Sequence, residues 1–231
     1  MLTLGIDTAT EIGSVGLADG PAAIGELTFP ARMGQAERLL QAVDRLLELS
    51  RLQVEALELI AVSSGPGSFT GLRIGIATAK GLAQGLGIPL VGVPTPESYA
   101  RRVKFCPGRV CVLIHDRRNL VYVAEFAPGS VGQSAAEERV EEIEAVLAEA
   151  LTGRLFLGSG AERYRGELVA RGGTVAPQAL NLPSGLEVAL LGAEKFAKAK
   201  KDELFSLEPR YLQRPLAELR VKSEREGVIA G

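Results

Sequence analysis

Apolar and polar positions alternate at the start of the chain. Residues 2–7, 14–18 and 22–29 read as three strands, parted by turn-rich segments at 8–13 and 19–21. That is the start of an antiparallel meander. At 37–49 the period lengthens: Leu39, Leu40, Val43, Leu46, Leu47 and Ser50 fall at helical spacing, with Arg38, Gln41, Asp44, Arg45 and Glu48 opposite, which predicts an amphipathic helix. Residues 59–63 predict an apolar strand. A glycine-rich run then turns into a helix reaching Gly87, and 90–93 predict another strand before Pro94-Thr95-Pro96. After Pro107-Gly108 the hairpin pattern recurs, with strands at 110–114 and 121–126 around turn residues 116–119. Helices at 138–150, 162–170 and 184–200 and a strand at 155–157 follow. The pattern predicts two α/β lobes, 1–105 and 106–231, the second a shorter copy of the first in element order. Beyond Leu212 the polar sequence reads as a loose tail with no function attached.

The helix after the glycine-rich run is unusual. Gly71, Gly75, Ala79, Ala83 and Gly87 recur at i, i+4 and form a ridge without bulky side chains. Ala77, Gly81 and Gly85 make a second small row, Leu72, Ile74, Ile76, Leu82 and Leu86 supply bulk, and only Arg73 and Lys80 are charged. Each interior Gly costs about 1 kcal/mol against Ala, so close packing on each side of the helix is expected in return. This is the signature of a docking element.

Composition narrows the function. The 231 residues carry a formal charge of −2, and the balance is even along the chain: 9 basic and 10 acidic residues up to Phe105, 17 and 18 after it. Neither half is a nucleic-acid footprint. The runs Arg101-Arg102-Val103-Lys104, Arg117-Arg118 and Lys198-Ala199-Lys200-Lys201 read as solvated faces. Cys106 and Cys111 match neither zinc nor redox spacing and read as free thiols. With no leader pattern and no apolar run of spanning length, a reduced, cytoplasmic setting and no membrane contact are expected.

Candidate chemistry is sparse. Asp7-Thr8-Ala9-Thr10, ending the first strand, resembles the phosphate turn of actin-like and sugar-kinase ATPases, but Ala9 stands where such turns carry Gly. An Asp bonding its own turn accounts for the same residues. The segment 65–71 can cap a helix through Ser68 or Thr70. It matches neither Gly-x-Gly-x-x-Gly, nor a Walker loop, since Gly81 follows Lys80, nor a Gly-x-Ser-x-Gly elbow. His115 is the sole histidine, so no two-His metal site can form, and a Ser-His-Asp set would have to draw on Ser68 or Ser159. Glu137-Glu138 and Glu141-Glu142 read as the exposed side of a helix.

Taken together, Gly5-Ile6-Asp7-Thr8, Glu37-Arg38-Leu39-Leu40, Gly65-Pro66-Gly67-Ser68-Phe69-Thr70-Gly71-Leu72-Arg73-Ile74-Gly75 and Ala79-Lys80-Gly81-Leu82-Ala83 closely resemble the TsaB family, also known as YeaZ. The match covers the first lobe to about Glu97. It thins afterwards to Arg117-Arg118, Val121-Tyr122, Gly158-Ser159-Gly160-Ala161 and Pro209-Arg210-Tyr211-Leu212. The resemblance implies a two-lobe actin-like (sugar-kinase-like) fold, an inactive paralogue of TsaD. It further implies the dimerisation subunit of the machinery making threonylcarbamoyladenosine in tRNA, with a TsaD-type catalytic subunit and a TsaE-type ATPase as partners. A homodimer is implied when the chain is alone, and tRNA is met only through the complex. Two departures stand out: Gln35-Ala36 replaces a His-Ser common in relatives, and His115-Asp116-Arg117-Arg118 replaces Asp-Ala-Arg-Arg.

A non-catalytic scaffold without cofactor or metal is therefore expected. Leu39, Val43, Leu46, Gly75, Ala79 and Ala83 are assigned to the partner surface or its border. Gly65, Gly67, Ser68, Phe69, Thr70, Gly71 and Arg73 form the motif loop, and Asp7 and Thr8 a vestigial nucleotide site. The alternative is an independent enzyme of the same superfamily, an ATP-dependent phosphotransferase or a glycoprotease-like peptidase.

Overall fold

The computed structural model describes residues 1–31, 35–130, 135 and 137–211, so the proposed tail, Leu212 included, lies outside the described residues. Strands β1 (Leu2–Asp7), β2 (Ile12–Asp19) and β3 (Ala22–Pro30) form the meander. Helix α1 (Gln35–Leu49), β4 (Leu59–Gly65), α2 (Phe69–Leu86), β5 (Leu90–Pro94) and α3 (Thr95–Arg101) follow. They build a mixed sheet ordered β3-β2-β1-β4-β5, with β1 antiparallel to β2 and parallel to β4.

Strands β6 (Arg109–His115), β7 (Leu120–Phe126) and β8 (Glu137–Glu142) repeat the meander. Helix α4 (Ile143–Ala148), β9 (Arg154–Leu157), α5 (Ser159–Arg163), α6 (Arg165–Ala170), β10 (Thr174–Val175) and α7 (Gly185–Ala199) complete the chain. The second sheet is ordered β10-β9-β6-β7-β8, which traced from its other edge is the path of the first. The repetition anticipated from the hairpin pattern is thus a repetition of topology. Among the described residues no helix is long and apolar enough to cross a membrane.

Helix α7 does not stay with the strands that precede it. It packs on β1, β2 and β4, so the first sheet is covered on one face by α1 and α2 and on the other by α7. Glycines permit this approach. A Cβ at Gly5 would overlap the backbone of Gly185 and Ala189, one at Gly16 that of Leu186, and one at Gly192 the side chain of Ala61. Ser184 caps the helix, its Oγ accepting from Glu187 N at 3.1 Å. Behind α7 the chain straps the edge strand β5, where Leu90 N donates to Asp202 Oδ1 and Gly92 N to Glu203 Oε2, and then reaches the end of β4, where Arg210 N donates to Ser64 O. An open sheet edge is thereby closed.

Residues 95–101, to which the sequence pattern assigned no element, are helical, with Pro96 in the first turn, where its missing N–H costs nothing. Two elements differ from expectation. The helix placed at 138–150 begins only at Ile143. The acidic stretch before it is the edge strand β8, where Arg139 reaches Glu125 at 3.0 Å and Glu149 at 2.6 Å, Arg154 also reaches Glu149, and cross-strand pairing outweighs helix propensity. The helix placed at 162–170 is two short turns broken at Tyr164. Cys106 and Cys111 are free thiols.

Gly5→Ala should cost about 3 kcal/mol or more of unfolding free energy, since backbone atoms cannot yield to the new methyl. Gly81→Ala, with nothing near the added carbon, should instead gain up to about 1 kcal/mol. Urea denaturation of the two variants beside the parent protein measures both.

Candidate functional site

The glycine-rich run is a clamp on the chain's own first turn. Ser68 caps α2, its Oγ accepting from Gly71 N, while Ser68 N donates to Ala9 O at 2.8 Å and Thr8 Oγ1 donates to Gly71 O at 2.8 Å. A side chain at Gly67 would strike Ala9, and one at Gly71 or Gly75 would strike Thr8. Gly65, at φ 109, turns the chain into the run and lies against Arg210.

The ridge 71, 75, 79, 83 therefore faces home, which corrects the surface assignment. Leu39, Val43 and Leu46 join Ala79 and Ala83 in the core under the first sheet, and Gly75 is buried against Thr8. An aspartate at Val43 would unfold this lobe before it could disturb any partner. What α2 exposes is the other row: Phe69, Arg73, Ala77, Gly81 and Gly85 are exposed at successive i, i+4 steps, and Gly81 and Gly85 have open space where a Cβ would stand. Leu40 and Leu49 of α1 are exposed apolar side chains as well. At the head of the row Arg73 is held flat, its guanidinium 3.9 Å from the Phe69 ring centre and its Nε donating to Tyr211 Oη at 2.9 Å. The one sequence signal for this row was that Gly81 and Gly85 fall out of step with Gly71 and Gly75. Tyr211 gave none.

Between the lobes lies a cleft of about 580 Å³. Thr10, Glu11, Ser68 and Thr70 line it from the first lobe, and His115, Asp116, Ser159 and Glu162 from the second. The fold thus brings together the residues of the conjectured Ser-His-Asp set without forming it. His115 Nε2 pairs with Arg118 O at 3.1 Å, and Ser159 Oγ accepts from the His115 backbone N–H rather than meeting the ring. Burial raises the Asp116 carboxyl despite Arg117 and His115 nearby. Hydrogen bonds from Arg165 and Asn181 hold Glu162 below the usual range. Among the described residues there is no group of three or more His, Cys, Asp or Glu able to hold a metal.

Nor does the first turn fit a phosphate. Ala9 N donates to Asp7 Oδ1 at 3.0 Å, Thr8 is fully buried with its hydroxyl committed to Gly71, and the Ala9 carbonyl is taken by Ser68. Asp7 itself is fully buried. Loss of water pushes its carboxyl up to about 6, with Glu26 adding repulsion and the Ala9 N–H and Ser63 hydroxyl opposing.

A family model described as TsaD, tRNA N6-adenosine threonylcarbamoyltransferase, matches residues 31–221. The tRNA threonylcarbamoyladenosine biosynthesis protein TsaB of Escherichia coli (strain K12) is 31% identical over 229 residues, spanning 94% of this chain and 96% of that protein. The solved structure of YeaZ from Pseudomonas aeruginosa superposes with a TM-score of 0.75 at 28% identity, over 91% of this chain and 99% of that one. At 13% identity, the ethanolamine utilization protein EutJ from Carboxydothermus hydrogenoformans shares the fold alone, with a TM-score of 0.55 over 83% and 90% of the two chains. The architecture is the two-lobe actin-like, sugar-kinase-like one.

A buried acid raised from 3.8 to about 6 stabilises the fold only while protonated. Its contribution is complete below pH 3.8 and is lost as the pH climbs through 6, so at pH 8 the ionised Asp7 is a liability. Asp7→Asn should accordingly gain about 2–3 kcal/mol at pH 8 and little at pH 4. Denaturant midpoints at the two pH values, in Tris and acetate buffers titrated with organic base or acid, check the sign.

Proposed function

Because this chain belongs to the TsaB family of tRNA threonylcarbamoyladenosine biosynthesis proteins, we propose that it is a non-catalytic docking subunit in the making of threonylcarbamoyladenosine on tRNA. Its partner is a TsaD-type catalytic subunit, with a TsaE-type ATPase joining the assembly and tRNA met through the complex. The observation that carries this reading is the outward row of α2. Gly81 and Gly85 weaken the helix, and among the described residues nothing stands near enough to need them small. A partner helix laid along Ala77, Gly81 and Gly85 would approach backbone to backbone, with Leu40 and Leu49 of α1 adding apolar area at the border. The same face would accept a second copy of this chain, so the homodimer and the complex with the catalytic subunit would compete for one surface.

The cleft supports a role without chemistry. Its histidine ring nitrogen is engaged with a backbone carbonyl, its serine hydroxyl is anchored to a backbone amide, and the turn that would approach phosphate is filled by α2. The even charge of both lobes likewise fits a subunit that leaves the anionic substrate to its partners.

Gly81→Arg places a long side chain on open surface, so the variant should fold with a melting temperature no lower than the parent's. It should bind a TsaD-type subunit at least about tenfold more weakly, a loss of ~1.4 kcal/mol, and should sediment as a monomer. Light scattering and titration calorimetry read both. A folded variant that assembles as the parent does would remove α2 from the interface and return weight to an independent enzyme.

A further inference from the structure

Arg73 is an exposed arginine that the fold nonetheless holds still. Its guanidinium carbon stands 3.9 Å from the centre of the Phe69 ring and 5.9 Å from that of Tyr211, and its Nε donates to Tyr211 Oη at 2.9 Å. The two rings lie against each other with 4.9 Å between centres, so the three side chains form one unit. Tyr211 is in turn fixed through its neighbour. Arg210 donates its backbone N–H to Ser64 O at 2.7 Å and its Nη1 to Glu138 Oε1 at 3.1 Å, and a Cβ at Gly65 would strike its carbonyl oxygen. The strap across the first sheet thus ends by holding Arg73 in place, with a second tie to β8 of the other lobe.

An arginine at the surface ordinarily keeps its side-chain freedom. Here that freedom is gone, yet among the described residues neither Nη1 nor Nη2 of Arg73 has an acceptor. Those two nitrogens form one edge of a rigid, planar fork that matches the two oxygens of a carboxylate. The setting has the same sign: the first turn of α2 holds no acidic residue, so the partial positive charge of the helix N-terminus adds to that of the guanidinium. The fork also stands at the head of the outward row, four residues before Ala77, and its two flanking rings are each 36% exposed. A body laid along the row would cover both rings and dry the fork, and an arginine ordered before association loses little freedom in it. One fixed guanidinium on an evenly charged lobe is no footprint for a phosphate backbone, so a protein carboxylate is the acceptor it suits.

We propose that Arg73 is the charged anchor of the docking face, its Nη1 and Nη2 donating to both oxygens of one aspartate or glutamate on the helix that a TsaD-type subunit lays along α2. The proposal rests on the docking role argued above and adds a register to it. With a carboxylate seated at Arg73, the partner helix is fixed over Ala77, Gly81 and Gly85 and cannot shift by a turn without breaking the pair. Phe69 and Tyr211 exclude water around the pair, as aromatic neighbours do at the centre of other interfaces.

Titration calorimetry of the full chain against a TsaD-type subunit tests this. Arg73→Gln should bind at least about twentyfold more weakly than the parent, and Arg73→Lys, which keeps the charge but neither the fork nor the stack, at least about fivefold more weakly. Tyr211→Phe keeps the ring, loses the hydroxyl that sets Nε, and should bind about threefold more weakly. All three changes lie at the surface, so the variants should fold as the parent does. When the acidic residues of the partner's docking helix are exchanged one at a time for amides, one exchange should match the loss seen in Arg73→Gln and add nothing to it in the double variant. Parental binding by Arg73→Gln beside weakened binding by Gly81→Arg would overturn the anchor and leave the docking face standing, whereas parental binding by both would remove the face as well. Full binding by Arg73→Lys, or a loss in Arg73→Gln that couples to no carboxylate, would equally overturn the proposal.

Discussion

Backbone contact on both faces of the first hairpin is the constraint from which the rest of this structure follows. On one face α7 lies on β1 and β2 through Gly5, Gly16 and Gly185; on the other, Gly67, Gly71 and Gly75 bring α2 onto the turn at Thr8 and Ala9. Side chains cannot mediate such contacts, so the positions are restricted to glycine by volume more than by backbone angle. The grip has a chemical consequence. The turn at Thr8 and Ala9 spends its hydroxyl, its carbonyl and an amide on the chain itself.

The junction between the lobes is built in the same spirit. Helix α3 lies between the sheets, and its two arginines reach opposite ways. Arg101 pairs with Glu187 and Glu194 of α7 at 2.9 and 2.8 Å, while Arg102 donates to the carbonyls of Ala179, Leu180 and Leu182 beside the cleft. Tyr99, Ala100 and Val103 enter the core of the second sheet. A cleft framed by fixed carbonyls and a buried joint suits a body that presents a surface better than one that closes on substrate.

Much of this was legible in the sequence, and the failures share a cause. Strand alternation and the amphipathic period of α1 depend on neighbours a few residues away, so the first meander, the β6–β7 hairpin, α1 and α7 could be read directly. The inward face of α2 could not, because small residues serve an approach to one's own sheet and to a foreign helix equally well. What decides is Thr8, more than sixty residues away in sequence. Strand β8 was hidden for a related reason: its glutamates are held by Arg139 and Arg154, a pairing that exists only once β7 and β9 are in place. The cleft draws single residues from separate elements, and no spacing rule joins Thr10, Ser68, His115 and Glu162.

Geometry nevertheless ties the two small rows of α2 together. At about 100° per residue, the step of two positions from Gly75 to Ala77 carries the second row about 200° around the axis, nearly opposite the first. The inward row is explained in full by Thr8, Ala9 and the core of the first sheet. The outward row has no such explanation among the described residues, yet it bears the same helix-propensity cost at Gly81 and Gly85. A helix weak on both sides fits the proposed docking role, in which its own sheet lies on one side and a partner's backbone on the other. The stacked Phe69, Arg73 and Tyr211 close the head of that row with bulk, so the small stretch of the outward face is confined to Ala77, Gly81 and Gly85.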